Sequence, residues 1–206
     1  MTEKEILKIF KTEKALLSGH FLLSSGLHSP HYIQCAILLQ KPWIARKICE
    51  ALAKKLKGLK IDVVIGPALG GMIVSYEMGQ VLKVRSIFAE RLPPPTGRAG
   101  AGQAGVDGAF TLRRGFALKR NEKALVVEDV VTTGKSTYEV VDLVEKNGAK
   151  VVGVAAIVDR SDGAAIFNQN FCSLLKINIK SYRPEDCPLC REGRIILTKP
   201  GSRVLN

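Results

Sequence analysis

The residues between positions 124 and 137 have types and an order that suit a sugar phosphate. Glu128 and Asp129 stand side by side, and adjacent carboxylates accept hydrogen bonds from vicinal hydroxyl groups such as those of a ribose. The hydroxyl-rich stretch that follows leads into a predicted helix, where backbone N–H groups and the helix N-terminus form an anion site. The competing interpretation is an ordinary capped helix after a strand. The predicted ribose 5-phosphate site consists of Glu128, Asp129, Val130, Val131, Thr132, Thr133, Gly134, Lys135 and Ser136.

Two nucleotide-binding patterns in the chain stand in the wrong context. Gly134-Lys135-Ser136 resembles the end of a P-loop, but that motif needs a glycine at the position that Asp129 occupies, and a carboxylate there would repel a triphosphate. Gly100 to Gly105 fits the dinucleotide fingerprint, yet it follows a proline-rich loop and no predicted strand. A flexible linker is therefore the favoured interpretation of residues 100–105.

The elements that must position these residues alternate between strand and helix. β-branched runs bounded by glycine or proline predict strands, and apolar residues at helical spacing predict helices. This alternation indicates an α/β fold with a central parallel sheet flanked by helices. The predicted strands cover 61–65, 85–89, 124–127 and 151–158, and the predicted helices cover 3–18, 42–57, 71–82 and 135–147.

A second loop at the same sheet edge has little side-chain bulk. Ligands of parallel sheets bind at the carboxyl ends of the strands, so the loops after residues 65, 127 and 158 are the candidates. The first of these, Gly66 to Gly71, contains Pro67, Ala68 and Gly70, and its backbone can approach a diphosphate closely. A tight strand-to-helix turn explains the same residues without a ligand.

The bulk composition is that of a soluble globular protein of 206 residues, with 46% hydrophobic and 24% charged residues. No apolar run is long enough to span a bilayer, and the acidic start of the chain does not resemble a secretory signal. The net charge of +12 fits a cleft for a polyphosphate, a nucleic-acid surface or a merely solvated basic surface. Aromatic residues make up only 6% and do not alternate with basic ones, which argues against a base-stacking platform.

Several segments together resemble a known family. Val126 to Gly134 is similar to the phosphoribosyl diphosphate (PRPP) signature of type I phosphoribosyltransferases, and the segment from His20 to Tyr32 resembles the N-terminal part of orotate phosphoribosyltransferases. Further similar segments follow in the expected order over about residues 14–163. They are Gly66-Pro67-Ala68-Leu69-Gly70-Gly71, Phe88-Ala89-Glu90-Arg91, Leu112-Arg113-Arg114-Gly115-Phe116 and Val158-Asp159-Arg160.

The resemblance implies a fold, a reaction and a set of contacts. It implies one type I phosphoribosyltransferase domain over 1–206, with an N-terminal hood at 1–40, a mobile loop at 90–118 and a C-terminal tail at 181–206. It implies transfer of ribose 5-phosphate from PRPP to orotate, with Mg²⁺ bound through PRPP, in a cytoplasmic homodimer without membrane or nucleic-acid partners. Orotate contacts are expected at Thr132 and Arg160, since a guanidinium pairs with a carboxylate in bidentate fashion. A structural ion pair of Arg160 with Asp159 or Asp162 is the alternative.

The catalytic residues implied by the resemblance are Asp129 and, from the loop arginines, Arg91, Arg113 and Arg114. Many relatives carry Lys and His in the mobile loop, but residues 92–118 contain neither and offer only Arg98, Arg113 and Arg114 as cations. These arginines either neutralise the departing diphosphate or are solvated hairpin charges. Gly70 stands where many relatives have a lysine, and His28 where some have a lysine near the phosphates.

Two other functions remain open. One is a phosphoribosyltransferase for a purine or another pyrimidine, which would have no need of Arg160 because its base carries no carboxylate. The other is a regulator that senses PRPP and binds nucleic acid, which the positive charge permits. Such a regulator needs an added DNA-binding module, and the N-terminal helix is too short to provide one.

The five cysteines, an odd number without a dense framework, indicate free thiols in a reducing cytosol. Cys187-Pro188-Leu189-Cys190 is half of a zinc site, and a structural zinc needs four ligands. The histidines lie far away in sequence, at 20, 28 and 31. Plain thiols are therefore the favoured interpretation, with pairing across a dimer or with Cys172 left open, and no protein metal ligand is predicted.

Overall fold

A computed structural model describes residues 1–23, 25–92 and 108–200 of the chain. The fold starts with a helix and a pair of antiparallel strands. Helix α1 (Glu3–Thr12) is followed by β1 (Leu16–Leu22) and β2 (His28–Ile33). Thr2 and Glu5 form a capping box that begins α1. The predicted helix over 3–18 is wrong beyond Thr12, because Leu16 and Leu17 continue the apolar spacing although they belong to β1.

The central sheet has six strands in the order β5-β4-β3-β6-β7-β8, and all neighbours pair in parallel except β4 and β5. The structure confirms the predicted parallel α/β sheet flanked by helices. It also adds two strands that the sequence pattern missed, Phe110–Thr111 and Phe171–Lys176. The elements from residue 36 onward are α2 (Ala36–Leu39), α3 (Pro42–Lys55), β3 (Val63–Pro67), α4 (Gly70–Leu82), β4 (Arg85–Arg91), β5 (Phe110–Thr111), β6 (Lys123–Val131), α5 (Lys135–Lys146), β7 (Lys150–Asp159) and β8 (Phe171–Lys176).

Alternation along the central strands divides the core between the two faces of the sheet. Successive side chains of a strand point to opposite faces, and here Val64 packs in one buried cluster while Val63 and Ile65 pack in the other. Helices α1 to α4 pack in the first cluster, through residues such as Ile48, and helix α5 packs in the second. Both faces are therefore covered, which is why these strands are apolar at almost every position.

The segment predicted as a mobile loop at 90–118 starts and ends in ordered structure. Glu90 pairs with Thr111 and Arg91 with Phe110, so β4 and β5 form the stem of a hairpin. Arg98 and the glycine-rich run 100–105 lie outside the described residues, as does the rest of 93–107. Among the helices that the structure describes, none has the length and apolar character needed to cross a bilayer.

The C-terminal segment predicted as an irregular tail packs onto the N-terminal strands. A 3₁₀ turn (Pro184–Asp186) and α6 (Pro188–Glu192) precede β9 (Leu197–Thr198). Strand β9 pairs in parallel with β1, so the small sheet has the order β2-β1-β9. Tyr182 and His28 also exchange two backbone hydrogen bonds of 2.8 Å. The N-terminal strands and the end of the described chain therefore form one unit.

Candidate active site

Strand β6 brings Glu128, which is buried, and Asp129, which is half-buried, to the carboxyl edge of the sheet. Glu128 is only 6% exposed, and its Oε1 accepts a hydrogen bond of 3.2 Å from the backbone N–H of Asp129. Burial raises the pKa of Glu128 well above its ordinary value, and the neighbouring Asp129 raises this pKa further. Burial also raises the pKa of Asp129, against hydrogen bonds from Glu128 and from the Val130 N–H. Hydroxyl donors of a bound ribose would stabilise these desolvated carboxylates.

The glycine loop between β3 and α4 packs directly on the two carboxyl groups. A Cβ atom at Gly70 would lie 2.8 Å from Asp129 Oδ1, and one at Gly66 would lie 2.4 Å from the Gly71 carbonyl oxygen. Pro67 ends β3, the Ala68–Leu69 peptide is cis, and the Ala68 N–H donates to Ala89 O over 2.8 Å. The contact with Asp129 gives a physical reason for glycine at position 70.

The loop between β6 and α5 presents backbone N–H groups at a helix N-terminus. Gly134 precedes α5 with a φ of 77°, a left-handed conformation that favours glycine. Thr133 Oγ1 accepts a hydrogen bond of 3.4 Å from the Lys135 N–H. Within the described chain, the N–H groups of Thr132, Thr133 and Gly134 donate to no other backbone group. These free donors and the positive end of the helix dipole can bind a phosphate.

Arg160 enters the site from the end of β7. Its backbone N–H donates to Val131 O over 2.8 Å, which ties it to the strand that carries the acids. Its Nε is buried and has no hydrogen-bond partner among the described residues. Burial lowers the pKa of this guanidinium, since removing a charge from water disfavours it. An anionic ligand placed here would satisfy the buried Nε.

The predicted alternative, an ion pair of Arg160 with Asp159 or Asp162, is not formed in the described part of the chain. Asp159 accepts hydrogen bonds from the N–H and the hydroxyl of Ser161 at 2.9 and 2.7 Å. Asp162 accepts one of 3.0 Å from Asn178 Nδ2. Both acids therefore have other partners, and neither of them pairs with the Arg160 guanidinium.

Two further residues near the site were not predicted. Burial and the charge of Asp129 raise the pKa of Tyr32 in β2, whereas the charge of Arg160 lowers it. Burial and the two acids of β6 raise the pKa of Cys35 well above its ordinary value. Tyr32 ends the segment that resembles the N-terminal part of the family, but nothing in its spacing indicates that the charges of Asp129 and Arg160 act on it.

The loop arginines are engaged by acids of the same chain. Arg91 lies 2.7 Å from Glu139, and its guanidinium stands 4.0 Å from the centre of the Phe110 ring. Arg113 lies 3.6 Å from Glu90, and Arg114 forms a further ion pair with this carboxylate. The hydrogen bond from Arg114 lowers the pKa of Glu90. The role of these arginines in binding diphosphate stays a prediction. It requires each arginine to leave its glutamate and pair with the diphosphate instead.

Comparison with known proteins first defines the class. Residues 35–188 match the phosphoribosyl transferase domain family, so the site lies in a phosphoribosyl transferase domain. The fold is similar to that of orotate phosphoribosyltransferase from Aeropyrum pernix, with a TM-score of 0.65 and 24% identity over 84% of this chain and 93% of that one. It is also similar to adenine phosphoribosyltransferase from Thermoanaerobacter pseudethanolicus, with a TM-score of 0.59 and 20% identity over 71% and 88% of the two chains. These likenesses define the fold and leave the base open.

Sequence similarity then defines the family within this class. The chain is 52% identical to the orotate phosphoribosyltransferase of Carboxydothermus hydrogenoformans, over 97% of both chains. It is 48% identical to that of Thermotoga maritima, over 97% of this chain and 99% of the relative. The chain belongs to the orotate phosphoribosyltransferase family. The prediction made from its motifs is confirmed.

The contact between the glycine loop and Asp129 gives a testable prediction for Gly70→Ala. The added methyl group must displace the Asp129 carboxylate, because its Cβ would lie 2.8 Å from Oδ1. We expect the KM for PRPP to rise at least about tenfold, a loss of about 1.4 kcal/mol. Steady-state kinetics measure this, and Lys146→Ala is the control, since the Lys146 side chain is 77% exposed on α5. An unchanged KM together with unchanged kcat would show that the loop does not touch the PRPP site.

Proposed function

We propose that this chain transfers ribose 5-phosphate from PRPP to orotate, giving orotidine 5′-monophosphate and diphosphate, and that Arg160 selects the base. The observation that carries the choice of base is the buried Nε of Arg160, which has no partner among the described residues. Orotate carries a carboxylate that matches a guanidinium in bidentate fashion. A purine or a pyrimidine without a carboxylate would leave this cation desolvated and unpaired.

In this proposal the three parts of PRPP occupy three neighbouring elements. The 5-phosphate accepts hydrogen bonds from the N–H groups at residues 132–136, where α5 begins. The ribose hydroxyls donate to Glu128 and Asp129, which burial leaves in need of such donors. The diphosphate lies against the backbone of Pro67, Ala68 and Gly70, where no large side chain intervenes.

Orotate takes its place between Arg160 and Thr132. Its N1 is readily anionic, so the site needs to position this atom more than to deprotonate it. As N1 forms a bond to the anomeric carbon, the bond from that carbon to the diphosphate oxygen breaks, and diphosphate departs with the electron pair. Asp129 holds the ribose while positive charge develops on the anomeric carbon. Arg91, Arg113 and Arg114 can neutralise the leaving group after exchange of their ion pairs with Glu139 and Glu90.

The donor set at this edge fits a magnesium ion that arrives with its substrate. Glu128 and Asp129 are two hard oxygen donors, but no group of three or more acids gathers around them in the part of the chain that is described. Mg²⁺ prefers oxygen ligands and keeps several waters, so the PRPP diphosphate would be its main ligand. When bound, it would supply charge neutralisation on the diphosphate.

A direct assay tests the proposed function. Purified protein is mixed with PRPP, Mg²⁺ and orotate, and the loss of orotate absorbance is followed. Adenine, hypoxanthine, xanthine and uracil are tested as alternative acceptors under the same conditions. We expect turnover with orotate alone. Turnover of another base while orotate stays inert would overturn the choice of base.

Arg160→Ala is expected to impair orotate use selectively. Removing the guanidinium deletes a charge-assisted bidentate contact, so the KM for orotate should rise by about 30-fold or more. The KM for PRPP should change by less than about threefold, since Arg160 lies on the base side of the acids. Arg160→Lys keeps the charge without the planar fork and should be intermediate. An equal rise in both KM values would contradict the assignment.

Asp129→Asn is expected to lower kcat by about 100-fold with little loss of stability, because the amide fills the same space but carries no charge. Single-turnover kinetics with saturating PRPP and orotate separate this chemical step from product release. Asp142→Asn is the matched control, since the Asp142 side chain is 67% exposed on α5. Equal rates for the wild type and Asp129→Asn would remove Asp129 from the catalytic site.

We further propose a homodimer that buries one face of α3 and α4. Leu69, Ile73 and Tyr76 follow each other at helical spacing and are 74%, 41% and 62% exposed. Trp43 at the start of α3 is 70% exposed. The helical spacing of Leu69, Ile73 and Tyr76 indicates an interaction surface, and a second copy of the chain is the partner that the family implies.

The mass of Tyr76→Glu in solution tests this surface. A charge in the centre of the patch should convert the dimer to a monomer, measured by light scattering after size exclusion. Ile166→Glu is the control, because Ile166 is 76% exposed but lies on another part of the protein. A monomeric wild type at micromolar concentration, or a dimeric Tyr76→Glu, would contradict the proposal.

We also expect the enzyme to work in the cytoplasm. All five cysteines are free, and free thiols persist in a reducing compartment.

A further inference from the structure

Four side chains with metal-binding atoms meet at the contact between the N-terminal strands and the C-terminal segment. His20 lies on β1, His28 begins β2, and Cys187 and Cys190 lie at and within α6. Their ligand atoms all lie within 4.8 Å of one another. Cys187 and Cys190 were interpreted as half of a site because the histidines lie far away in sequence. The fold brings His20 and His28 next to the two cysteines. His20, His28 and Cys187 are buried, while Cys190 is exposed.

The distances within this cluster match one tetrahedral ion. His20 Nε2 lies 3.0 Å from His28 Nδ1 and 3.5 Å from Cys187 Sγ. Cys190 Sγ lies 3.2 Å from His28 Nδ1 and 3.6 Å from His20 Nε2. With Zn–N bonds of about 2.0 Å and Zn–S bonds of about 2.3 Å, tetrahedral angles place neighbouring ligand atoms about 3.3 to 3.8 Å apart. These four separations therefore need only small adjustments to enclose zinc, and the remaining pairs of ligand atoms lie within 4.8 Å of one another.

The surroundings of His20 prepare it as a ligand. Its Nδ1 lies 3.1 Å from the carbonyl oxygen of Ile195, to which a protonated Nδ1 would donate. This tautomer leaves the lone pair of Nε2 directed at the cluster, and ligating histidines are commonly held in this way. Thr198 adds a hydrogen bond of 3.1 Å from its hydroxyl to the His20 carbonyl oxygen. Both supporting groups come from the C-terminal segment.

Other uses of the four groups explain less. Cys187 and Cys190 are free, so the cluster is not a disulfide with two histidines beside it. Hydrogen bonding among the four groups explains their convergence poorly, because thiols are weak hydrogen-bond donors. Sulfur and imidazole ligands disfavour Mg²⁺ and suit zinc. A two-iron centre binds its cysteines and histidines to different irons, whereas here Cys190 Sγ and His28 Nδ1 lie 3.2 Å apart.

We propose that His20, His28, Cys187 and Cys190 bind one structural Zn²⁺ ion that fastens the C-terminal segment to β1 and β2. Four protein ligands leave no open coordination position, so the ion stabilises structure and does not activate water. His28 thus points to the cluster, although some relatives have a lysine near the phosphates at this position. The same strand, β2, carries Tyr32 toward Asp129 and Arg160, so the ion also fixes the strand next to the candidate active site.

Metal content tests the proposal directly. The full chain is purified without a metal-affinity step, dialysed against a chelator that removes loosely bound metal, and measured by mass spectrometry of the elements. We expect about one zinc per chain, as a closed four-ligand site implies. Cys187→Ser and Cys190→Ser should lose most of this zinc. Cys172→Ser and His31→Gln are matched controls outside the cluster and should retain it.

A second measurement guards against variants that lose zinc by misfolding. Cobalt exchanged into the wild type should give the strong visible bands of a tetrahedral site and a thiolate charge-transfer band. Cys190→His should bind cobalt with a weaker thiolate band, because Cys190 is exposed and a histidine keeps a ligand there. Removing zinc from the wild type should lower the Tm and increase hydrogen exchange in residues 181–198.

Three outcomes would overturn the proposal. The first is a wild type that binds neither zinc nor cobalt after being supplied with each metal in reducing buffer. The second is full zinc content in folded Cys190→Ser. The third is a Cys187–Cys190 disulfide in the freshly isolated protein. None of these readouts uses orotate turnover, so the zinc proposal and the proposed function fail independently.

Discussion

The geometry of the candidate active site depends on two adjacent carboxyl groups that β6 holds at the carboxyl edge of the sheet. Glu128 and Asp129 are buried against the glycine loop after β3, and their pKa values rise as a result. Nearby hydrogen-bond donors stabilise the charged form of such groups, and the hydroxyl groups of a bound ribose would be such donors. The position of Asp129 requires a glycine at position 70. The backbone hydrogen bond from Arg160 N–H to Val131 also fixes the first residue of the loop after β7 against the strand that carries the acids.

Without substrate, several charged and polar groups at the carboxyl edge of the central sheet lack a partner among the described residues. The Nε of Arg160 is buried without a partner among the described residues, and the charges of Asp129 and Arg160 shift the pKa of Tyr32 in opposite directions. The loop arginines that would add positive charge are held by Glu90 and Glu139 instead. A polyanionic substrate would therefore complete a set of interactions that the protein leaves open at residues 132–134 and at Arg160. Such a site favours ligand binding over its own internal stability.

The parts of the structure that the sequence predicted are those with local patterns. The acid pair, the glycine loop and the strand before Arg160 follow from short runs of residues, and the structure places them at one sheet edge as expected. The end of α1 was mispredicted because apolar spacing does not distinguish its last turn from β1. The cluster joins His20 to Cys187, 167 positions away, and β9 pairs Leu197 with His20 over a still longer separation. No local pattern exists for such contacts. Tyr32 was missed for a similar reason, since its neighbours in space come from β6 and β7.

The parallel pairing of β9 with β1 has a consequence for how the protein is made. The ribosome synthesises β1 and β2 of this small sheet before the strands of the central sheet, and β9 after them. His20 and Leu197 must find each other across most of the chain, which is a pairing of very high contact order. The central sheet is complete once residue 176 has emerged, before β9 exists. The N-terminal strands therefore gain the support of β9 only after the whole central sheet has been synthesised, so this small sheet is completed after the central one.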